Sequence, residues 1–251
     1  MQRTARRNAK GQVPARKIKK VEIRNLEPGD YMQLKDAMRE SYKNWHGSVW
    51  KEEDIKRLVK LFPEGQIVML VNGKVVGTAL SIIVNYDEFT DNHTYREITG
   101  DYTFRTHTDK GNTLYGIEVF IHPDYRGLRL AHRLYDARKH LCEKLNLRSI
   151  VFGGRIPNYA KHAKEMSPKE YIGHVKKKEI YDPVLSFQLS NEFHVKKLLG
   201  NYMPGDLDSK EYATLMEWHN VLYDKAHTID MKKSTVRLGL VQWRMRSLKN
   251  M

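Results

Sequence analysis

The clearest pattern of hydrophobic and polar positions lies between Tyr115 and Leu145. An alternating apolar segment, LYGIEVFI, leads through the turn HPDYRGLRLA into a segment with apolar residues at every third or fourth position: Leu130, Leu134, Ala137, Leu141 and Leu145. The alternation predicts a strand, and the recurrence predicts an amphipathic helix that packs one face on a sheet. Asn146 ends the helix, and Leu147 to Gly153 has the composition of a second strand. Together these segments predict a βαβ unit.

The turn between this strand and the helix has the features of a phosphate site. The first N–H groups of a helix have no partner within the helix, and they lie at the positive end of its macrodipole. An anionic ligand can accept hydrogen bonds from them. Arg126, Arg129 and Arg133 add positive charge around the turn. Taken alone, RGLRLA fits a solvated basic turn equally well, but the strand before it and the helix after it favour an anion site.

The same kind of pattern predicts the other elements of the chain. The expected strands and helices are a strand at Val21 to Leu26, helices at Tyr31 to Tyr42 and Lys51 to Leu61, a hairpin that turns at Asn72-Gly73, and strands around His194 to Leu199 and Tyr212 to Trp218. Helices and strands that alternate in this way indicate an α/β protein.

The segment Arg126-Gly127-Leu128-Arg129-Leu130-Ala131 resembles motif A of the GNAT family of N-acetyltransferases. That motif reads Arg or Gln, any two residues, Gly, any residue, then Gly or Ala. The first and last positions match, whereas Arg129 replaces the middle glycine. Helical dihedral angles would accommodate Arg129, and a positive φ would resist it. The order of elements over residues 21–220 also agrees with the family. The resemblance implies a central twisted mixed sheet with helices on both faces.

The resemblance also implies acetyl-CoA as the cosubstrate. In the family, the N–H groups of this turn bind the pyrophosphate, and the preceding strand bonds to the pantetheine arm. The cofactor-binding residues implied in this chain are Val119, Phe120, Ile121, Arg126, Gly127, Leu128, Arg129, Leu130, Ala131 and Asn158. Asn158 is included because the family often uses an asparagine after the next strand, and a helix cap is the alternative role for this residue.

Transfer of an acetyl group to an amine calls for a base. An amine with a pKa near 10.4 costs about 4.6 kcal/mol to deprotonate at pH 7. Glu118 is the candidate base, because some family members carry a catalytic glutamate in this strand, and exposure to solvent or pairing with an arginine is the alternative. The usual acid of the family is a tyrosine, which aligns here with Gln188, a residue that cannot usefully donate a proton. Tyr181 is therefore the candidate acid, with Tyr159 or water as alternatives.

A polar and aromatic segment, residues 85–113, separates two of the predicted strands and is long for a loop. In the implied fold it would lie on the acceptor side of the cleft. The candidate substrate contacts in it are Asp87, Glu88, Asp91, Tyr95 and Tyr102. Trp45 and Trp50 are further candidates, with core packing as the alternative for at least one. The expected acceptor is a small-molecule or peptide amine. A noncatalytic acyl-CoA-binding regulatory module is the alternative function.

Composition and charge limit these expectations further. The chain has 251 residues, 40% of them hydrophobic, which is enough for one main domain over residues 21–220. Residues 1–20 carry eight of the excess positive charges and no acid, so the net charge of +14 falls to +6 without them. We expect a solvated basic arm with no specific nucleic-acid partner. No apolar run reaches the length of a membrane span, and a cytoplasmic location is expected.

Cysteine and histidine usage argues against a metal site or a disulfide. Cys142 is the only cysteine, which excludes an intramolecular disulfide and a cysteine zinc cluster. The eleven histidines include no pair at ligand spacing that is backed by carboxylates. The sequence therefore predicts no metal site.

A last apolar segment, VRLGLVQ at residues 236–242, follows a polar linker at residues 221–235. It predicts a strand with no evident position in the implied sheet. The segment resembles the opening strand of the carbon–nitrogen hydrolase (nitrilase) superfamily, to which acetyltransferase domains are fused in some proteins. The resemblance implies that residues 236–251 begin a truncated hydrolase domain, covalently fused in a longer protein. An edge strand docked on the main domain is the alternative, and a homodimer is compatible with either arrangement.

Overall fold

The computed structural model describes residues 18–43 and 49–226. Within them, seven strands form one mixed sheet: β1 (Val21–Asn25), β2 (Gln66–Val71), β3 (Lys74–Val84), β4 (Thr113–Ile121), β5 (Ser149–Arg155), β6 (His194–Leu199) and β7 (Ala213–His219). The order across the sheet is β1-β2-β3-β4-β5-β7-β6. The β4–β5 pair is parallel, and the other neighbouring pairs are antiparallel.

Helices cover both faces of the sheet. They are α1 (Tyr31–Ser41), α2 (Glu52–Leu61), α3 (Tyr95–Ile98), α4 (Leu130–Lys144), α5 (Tyr159–His162), α6 (Pro168–Lys176) and α7 (Leu185–Ser190). Successive residues of a strand point to opposite faces, and Leu114 and Tyr115 accordingly belong to different hydrophobic clusters. Tyr115 packs with residues of α1 and α2, whereas Leu114 packs with residues of α4, α6 and α7. None of the helices in the described ranges is both long and apolar enough to cross a lipid bilayer.

The predicted βαβ unit is confirmed as β4, α4 and β5. Its two strands pair in parallel where Thr113–Tyr115 lie beside Ser149–Val151. Further along β4, Leu80 lies opposite Glu118 and Ser81 lies opposite Gly116, so the residue between them is an extra one on β4. Such a bulge bends the strand that carries it. Beyond the paired segment β4 and β5 separate, and their separation opens a cleft in the middle of the sheet.

The helices and strands predicted within the described residues lie within two residues of their observed ends. The largest shift is in β5, which begins at Ser149 rather than at Leu147. Asn146 adopts a left-handed conformation with φ of 48°. The N–H of Leu147 then donates to the carbonyl of Cys142, as in a helix-terminating Schellman motif. Leu147 therefore belongs to the cap of α4 rather than to the strand.

Residues 85–113 form the long connection between β3 and β4 that the sequence predicts, and part of this connection is folded against the core. It contains α3, which begins with a capping box between Thr94 and Glu97. Tyr95, Ile98 and Phe104 are buried in the same cluster as α1 and α2. These aromatic and apolar side chains attach the connection to the main core, although the residues around them are mostly polar.

Three parts of the predictions lie outside the described residues. They are residues 1–17 of the basic arm, Trp45, and the C-terminal segment that includes the strand predicted at residues 236–242. The domain boundaries proposed from the sequence stay predictions.

Candidate active site

The separation of β4 and β5 produces a cleft of about 1480 Å³. Residues 116–121 of β4 line one side of it, and Phe152, Gly153 and Arg155 of β5 line the other. The parallel pairing ends at Tyr115, so this part of β4 presents its backbone edge to the cleft instead of to β5. An unpaired strand edge offers N–H and C=O groups to a ligand that carries amides of its own.

The N-terminus of α4 opens into the same cleft. Leu130 and Ala131 form the start of this 15-residue helix and line the cleft, and the helix has neither a side-chain cap nor an acidic residue in its first turn. Its first N–H groups are therefore available to an anion. Two neighbouring arginines of the turn, Arg126 and Arg129, also line the cleft. The Arg126 side chain is anchored by donation from its Nε to the carbonyl of Ile121, at 3.1 Å.

Of the two backbone conformations considered for Arg129, the structure has the one with a positive φ, which disfavours a residue with a Cβ atom. Arg129 is the N-cap of α4 and has φ of 56° and ψ of 19°, in the left-handed region. Gly127 also has a positive φ, of 78°. A left-handed residue with a Cβ atom costs roughly 1–2 kcal/mol. The turn thus keeps a conformation that suits glycine at the position where motif A has one, although this chain carries an arginine there.

The predicted cofactor-binding residues do not all reach the cleft. Those that line it are Val119, Phe120, Ile121, Arg126, Gly127, Arg129, Leu130 and Ala131. Leu128 and Asn158 are not among the described residues of the cleft wall. Leu128 points outward and is 44% exposed. The Asn158 side chain donates to the carbonyl of Tyr181, 23 residues further along the chain, and accepts from Lys161 of α5.

Glu118 lies in the cleft wall directly after the bulge. Its carboxylate oxygen Oε1 accepts hydrogen bonds from the hydroxyl of Tyr42, at 2.5 Å, and from the N–H of Val119, at 3.0 Å. Burial raises the pKa of Glu118 above its ordinary value of 4.5, and the hydrogen bonds from Tyr42, Val119 and Trp50 oppose that rise. A carboxylate with a raised pKa in a cleft is suited to accept a proton near neutral pH.

A buried arginine of α4 supports this part of β4. The Nη2 group of Arg138 donates to the carbonyl of Glu118, at 2.8 Å, and to the carbonyl of Leu80, at 3.1 Å. Arg138 is only 1% exposed, and burial lowers its pKa. Its other guanidinium nitrogen, Nη1, lies close to Gly116, where an added Cβ atom would be 3.0 Å away. Arg138 therefore holds the bulge that sets the position of Glu118.

Aromatic side chains form the wall opposite the α4 turn. They are Tyr42, Trp50, Tyr95 and Tyr102. The Tyr95 hydroxyl donates to the carbonyl of Ile117, and Trp50 packs edge-on against Tyr102 with ring centroids 6.4 Å apart. Tyr42 is not among the site residues predicted from the sequence. Its spacing of four residues from Met38 continued the buried face of α1 and was the signal that would have found it.

The candidate acids occupy different surroundings. Tyr181 lies at the rim of the cleft and is 73% exposed, so its role as an acid stays a prediction. Tyr159 is buried outside the described cleft wall, and its hydroxyl donates to the carbonyl of Met166. Gln188 lines the cleft but its terminal amide packs against Gly154. Neither Tyr159 nor Gln188 is placed to donate a proton to a departing thiolate.

The acidic candidates of residues 85–113 are directed elsewhere. Asp87 pairs with Arg148, Glu88 accepts from Asn85, and Asp91 lies 3.4 Å from the Nζ of Lys196. None of the three is among the described residues that line the cleft. The geometry thus separates them from Tyr95 and Tyr102, the two aromatic candidates from the same segment, which do line it.

Comparisons with known proteins give a consistent result. The model of the acetyltransferase (GNAT) family matches residues 33–163. The chain is 33% identical over 213 residues to an uncharacterized N-acetyltransferase, YkwB, of Bacillus subtilis, a match that covers 84% of this chain and 94% of that protein. It is 43% identical over 232 residues to a probable hydrolase, YhcX, of the same organism. That second match covers 92% of this chain but only 45% of YhcX, so the chain spans about half the length of that relative.

Two solved structures share the fold over most of the chain. One is the loading GNATL domain of CurA from Lyngbya majuscula, with a TM-score of 0.70, 23% identity, and coverage of 79% of this chain and 97% of that one. The other is the GphF GNAT-like decarboxylase in complex with isobutyryl-CoA, with a TM-score of 0.69, 20% identity, and coverage of 78% and 98%. At these identities the likeness shows the fold alone.

Proposed function

Because the chain belongs to the GNAT acetyltransferase family, we propose that it transfers an acetyl group from acetyl-CoA to a primary amine. The observation that carries this proposal is the cleft between β4 and β5. It joins an uncapped helix N-terminus, an unpaired strand edge and a half-buried carboxylate in one continuous space.

The shape and chemistry of the cleft suit an acyl-coenzyme A. The uncapped N-terminus of α4, with Arg126 and Arg129 beside it, offers donors and positive charge to a pyrophosphate. The edge of β4 that faces the cleft has no partner strand among the described residues. Its N–H and C=O groups that are not bound by Tyr95, Glu118, Arg126 or Arg138 can bond to the amides of a pantetheine arm. A thioester at the end of that arm would lie near Glu118, since the bulge is at the inner end of this edge. The GphF neighbour was solved with isobutyryl-CoA, which agrees with an acyl-CoA ligand for this fold.

The opposite wall suits a cationic amine. Tyr42, Trp50, Tyr95 and Tyr102 present aromatic faces and edges around Glu118. Aromatic faces attract an ammonium group, and a carboxylate beyond them completes its recognition. We infer an acceptor that enters as an ammonium ion and loses its proton inside the cleft.

In the proposed reaction, Glu118 accepts the proton from the bound ammonium, either directly or through one water. The neutral amine then attacks the thioester carbonyl and forms a tetrahedral intermediate. When the intermediate collapses, the C–S bond breaks, the nitrogen loses its second proton and the thiolate gains one, so the net reaction releases the single proton that Glu118 accepted. Tyr42 and the N–H of Val119 keep the Glu118 carboxylate in place during this step. Tyr181 is our candidate for the final proton transfer, and water is the alternative.

Two measurements test this function, and both use the full chain. Isothermal titration with acetyl-CoA should show binding, and a screen of primary amines should show acetyl-CoA-dependent release of free thiol. Ala131→Trp should abolish binding, because an indole at the first turn of α4 would fill the space in front of the helix N-terminus. Asp136→Trp is the matched control, since Asp136 lies on the exposed side of the same helix. Binding that survives Ala131→Trp would place the coenzyme elsewhere.

The noncatalytic module is the second candidate. It is favoured by the lack of a well-placed acid among the candidates. Gln188 and Tyr159 are not positioned to donate a proton, and Tyr181 lies exposed at the rim of the cleft. Under this alternative, acetyl-CoA binds with the same sensitivity to Ala131→Trp, but no amine in the screen releases thiol above the uncatalysed rate.

We also propose that this domain occurs in a longer protein with a hydrolase domain after it. The support comes from YhcX, which is named a probable hydrolase. The chain matches 45% of the length of YhcX. YkwB, by contrast, is matched over 94% of its length and is named as an N-acetyltransferase. A reading frame that continues into a carbon–nitrogen hydrolase sequence would support the fusion, and a stop codon directly after Met251 would refute it.

A further inference from the structure

Three side chains with metal-binding atoms, those of His194, Glu217 and His219, lie close together where β6 begins and β7 ends. This part of the surface is separate from the cleft. His194 begins β6, and its cross-strand partner in the register is Glu217 of β7. His219 ends β7 two residues later, so its side chain projects from the same face of the sheet as Glu217. None of the three is among the described residues that line the cleft.

We propose that His194, Glu217 and His219 form a binding site for Zn²⁺ or a chemically similar divalent transition metal. Two imidazoles and a carboxylate are ligands that zinc takes in many proteins, with a fourth position left to water. Imidazole nitrogen favours this class of metal over Mg²⁺ and Ca²⁺, which prefer oxygen ligands.

The donor atoms already lie close to the required arrangement. The Nε2 atoms of His194 and His219 are each 3.8 Å from Oε2 of Glu217. All three donor atoms lie within 4.8 Å of one another. Tetrahedral ligands about 2.1 Å from zinc are separated by roughly 3.4 Å. The side chains of His194 and His219 are 50% and 62% exposed, so small rotations of the rings can close the remaining gap.

The surroundings of the three residues favour a bound cation. The Glu217 side chain is only 10% exposed, and its position in the ladder between β5 and β6 fixes its backbone. The two rings are 5.0 Å apart between centroids and inclined by 30°, an arrangement in which both can turn toward one ion.

Lys196 is the group with which a metal would compete. Its Nζ is 3.7 Å from Oε2 of Glu217 and 3.4 Å from Oδ1 of Asp91. A divalent ion on Glu217 would repel this ammonium, and Asp91 offers it another partner. Removal of the Lys196 charge should therefore strengthen metal binding.

Metal binding at this place would tie the edge strand to its neighbour. β6 is the last strand of the sheet and pairs only with β7 among the described strands. The connection between the two strands includes Met203 and Pro204, which line the cleft. The metal would thus fix the far end of the hairpin whose loop forms part of the cleft wall.

The test is a titration of the chelator-stripped full chain with ZnCl₂ by isothermal calorimetry, accompanied by the Tm. We expect a saturable site, and a Tm that rises by about 5–10 °C at a hundredfold excess over Kd. His219→Ala and Glu217→Gln should each weaken this site at least tenfold. Lys196→Met should tighten it several-fold. His140→Ala is the matched control and should leave binding unchanged, since His140 is an exposed histidine near a carboxylate, Glu143, on another element.

Substitution with Co²⁺ provides a second readout that depends on the ligands themselves. The intensity of its ligand-field absorption should change in His194→Ala and stay unchanged in His140→Ala. The proposal is wrong if the wild-type chain takes up no zinc. It is equally wrong if uptake is as tight in His219→Ala and His194→Ala, provided that both variants keep the Tm of the metal-free wild type.

Discussion

Replacement of Glu118 by glutamine should inactivate the protein and at the same time stabilise it at neutral pH. The glutamine keeps an oxygen that can accept from Tyr42 and Val119, so the shape and the hydrogen bonds of the site persist. It removes the proton-accepting carboxylate and the cost of holding a charge in a desolvated cleft. The two effects have opposite signs and are measured separately.

The stability effect follows from the raised pKa of Glu118. The folded protein holds the Glu118 proton more tightly than the unfolded chain does. Stability from this group is therefore complete below the unfolded pKa, near 4.5, and is lost as the pH rises through the higher folded value. Each unit of difference amounts to about 1.4 kcal/mol, or roughly 3–5 °C in Tm for a domain of this size. Glu118→Gln should recover this loss at pH 7 and show no gain near pH 4.

The catalytic effect follows from the proposed role as base. We expect kcat to fall by about 10²- to 10⁴-fold while the Kd for acetyl-CoA changes little. The acidic limb of the pH profile of kcat/KM should disappear. Glu88→Gln is the control, because Glu88 is exposed and outside the described cleft wall. A Glu118→Gln variant that is less stable than the wild type at pH 7, or that retains full kcat, would refute the reasoning.

Three further substitutions test the geometry around the cleft. Tyr42→Phe removes the hydroxyl whose hydrogen bond lowers the pKa of Glu118, so the acidic limb of the pH profile of kcat/KM should move to higher pH. An acidic limb at the wild-type pH would contradict the role of this hydrogen bond. Arg138→Met leaves the carbonyls of Leu80 and Glu118 without their guanidinium donor, so the free energy of unfolding measured in urea should fall by about 2–4 kcal/mol and kcat should decrease. Unchanged stability would mean that other groups support the bulge. Arg129→Gly removes the Cβ atom that makes the left-handed conformation unfavourable, so the free energy of unfolding should rise by up to about 1 kcal/mol and the Tm by a few degrees. A lower Tm would show that the arginine side chain stabilises the turn.

The periodic pattern of the sequence was sufficient for the local structure. Apolar repeats fixed α4 between Leu130 and Lys144, and the Asn72-Gly73 pair gave the hairpin turn, because both residues adopt the positive φ that such a turn needs. Motif A identified the turn at residues 126–131, which the structure places at the mouth of the cleft. Periodicity and turn chemistry depend on neighbours in the chain, so a single sequence contains them.

The surroundings of each side chain required the tertiary structure. Tyr42 reaches Glu118 across 76 positions of sequence, and Arg138 reaches the carbonyl of Leu80 across 58. His194 and Glu217 are 23 residues apart in the chain and meet through the register of β6 and β7. The left-handed backbone of Arg129 was likewise not predictable from its residue type, because this conformation is unfavourable for a residue with a Cβ atom. Burial, pKa and ligand geometry depend on such distant contacts. The pattern along the chain thus determined the elements and the family, and only their packing decided which side chains share a site.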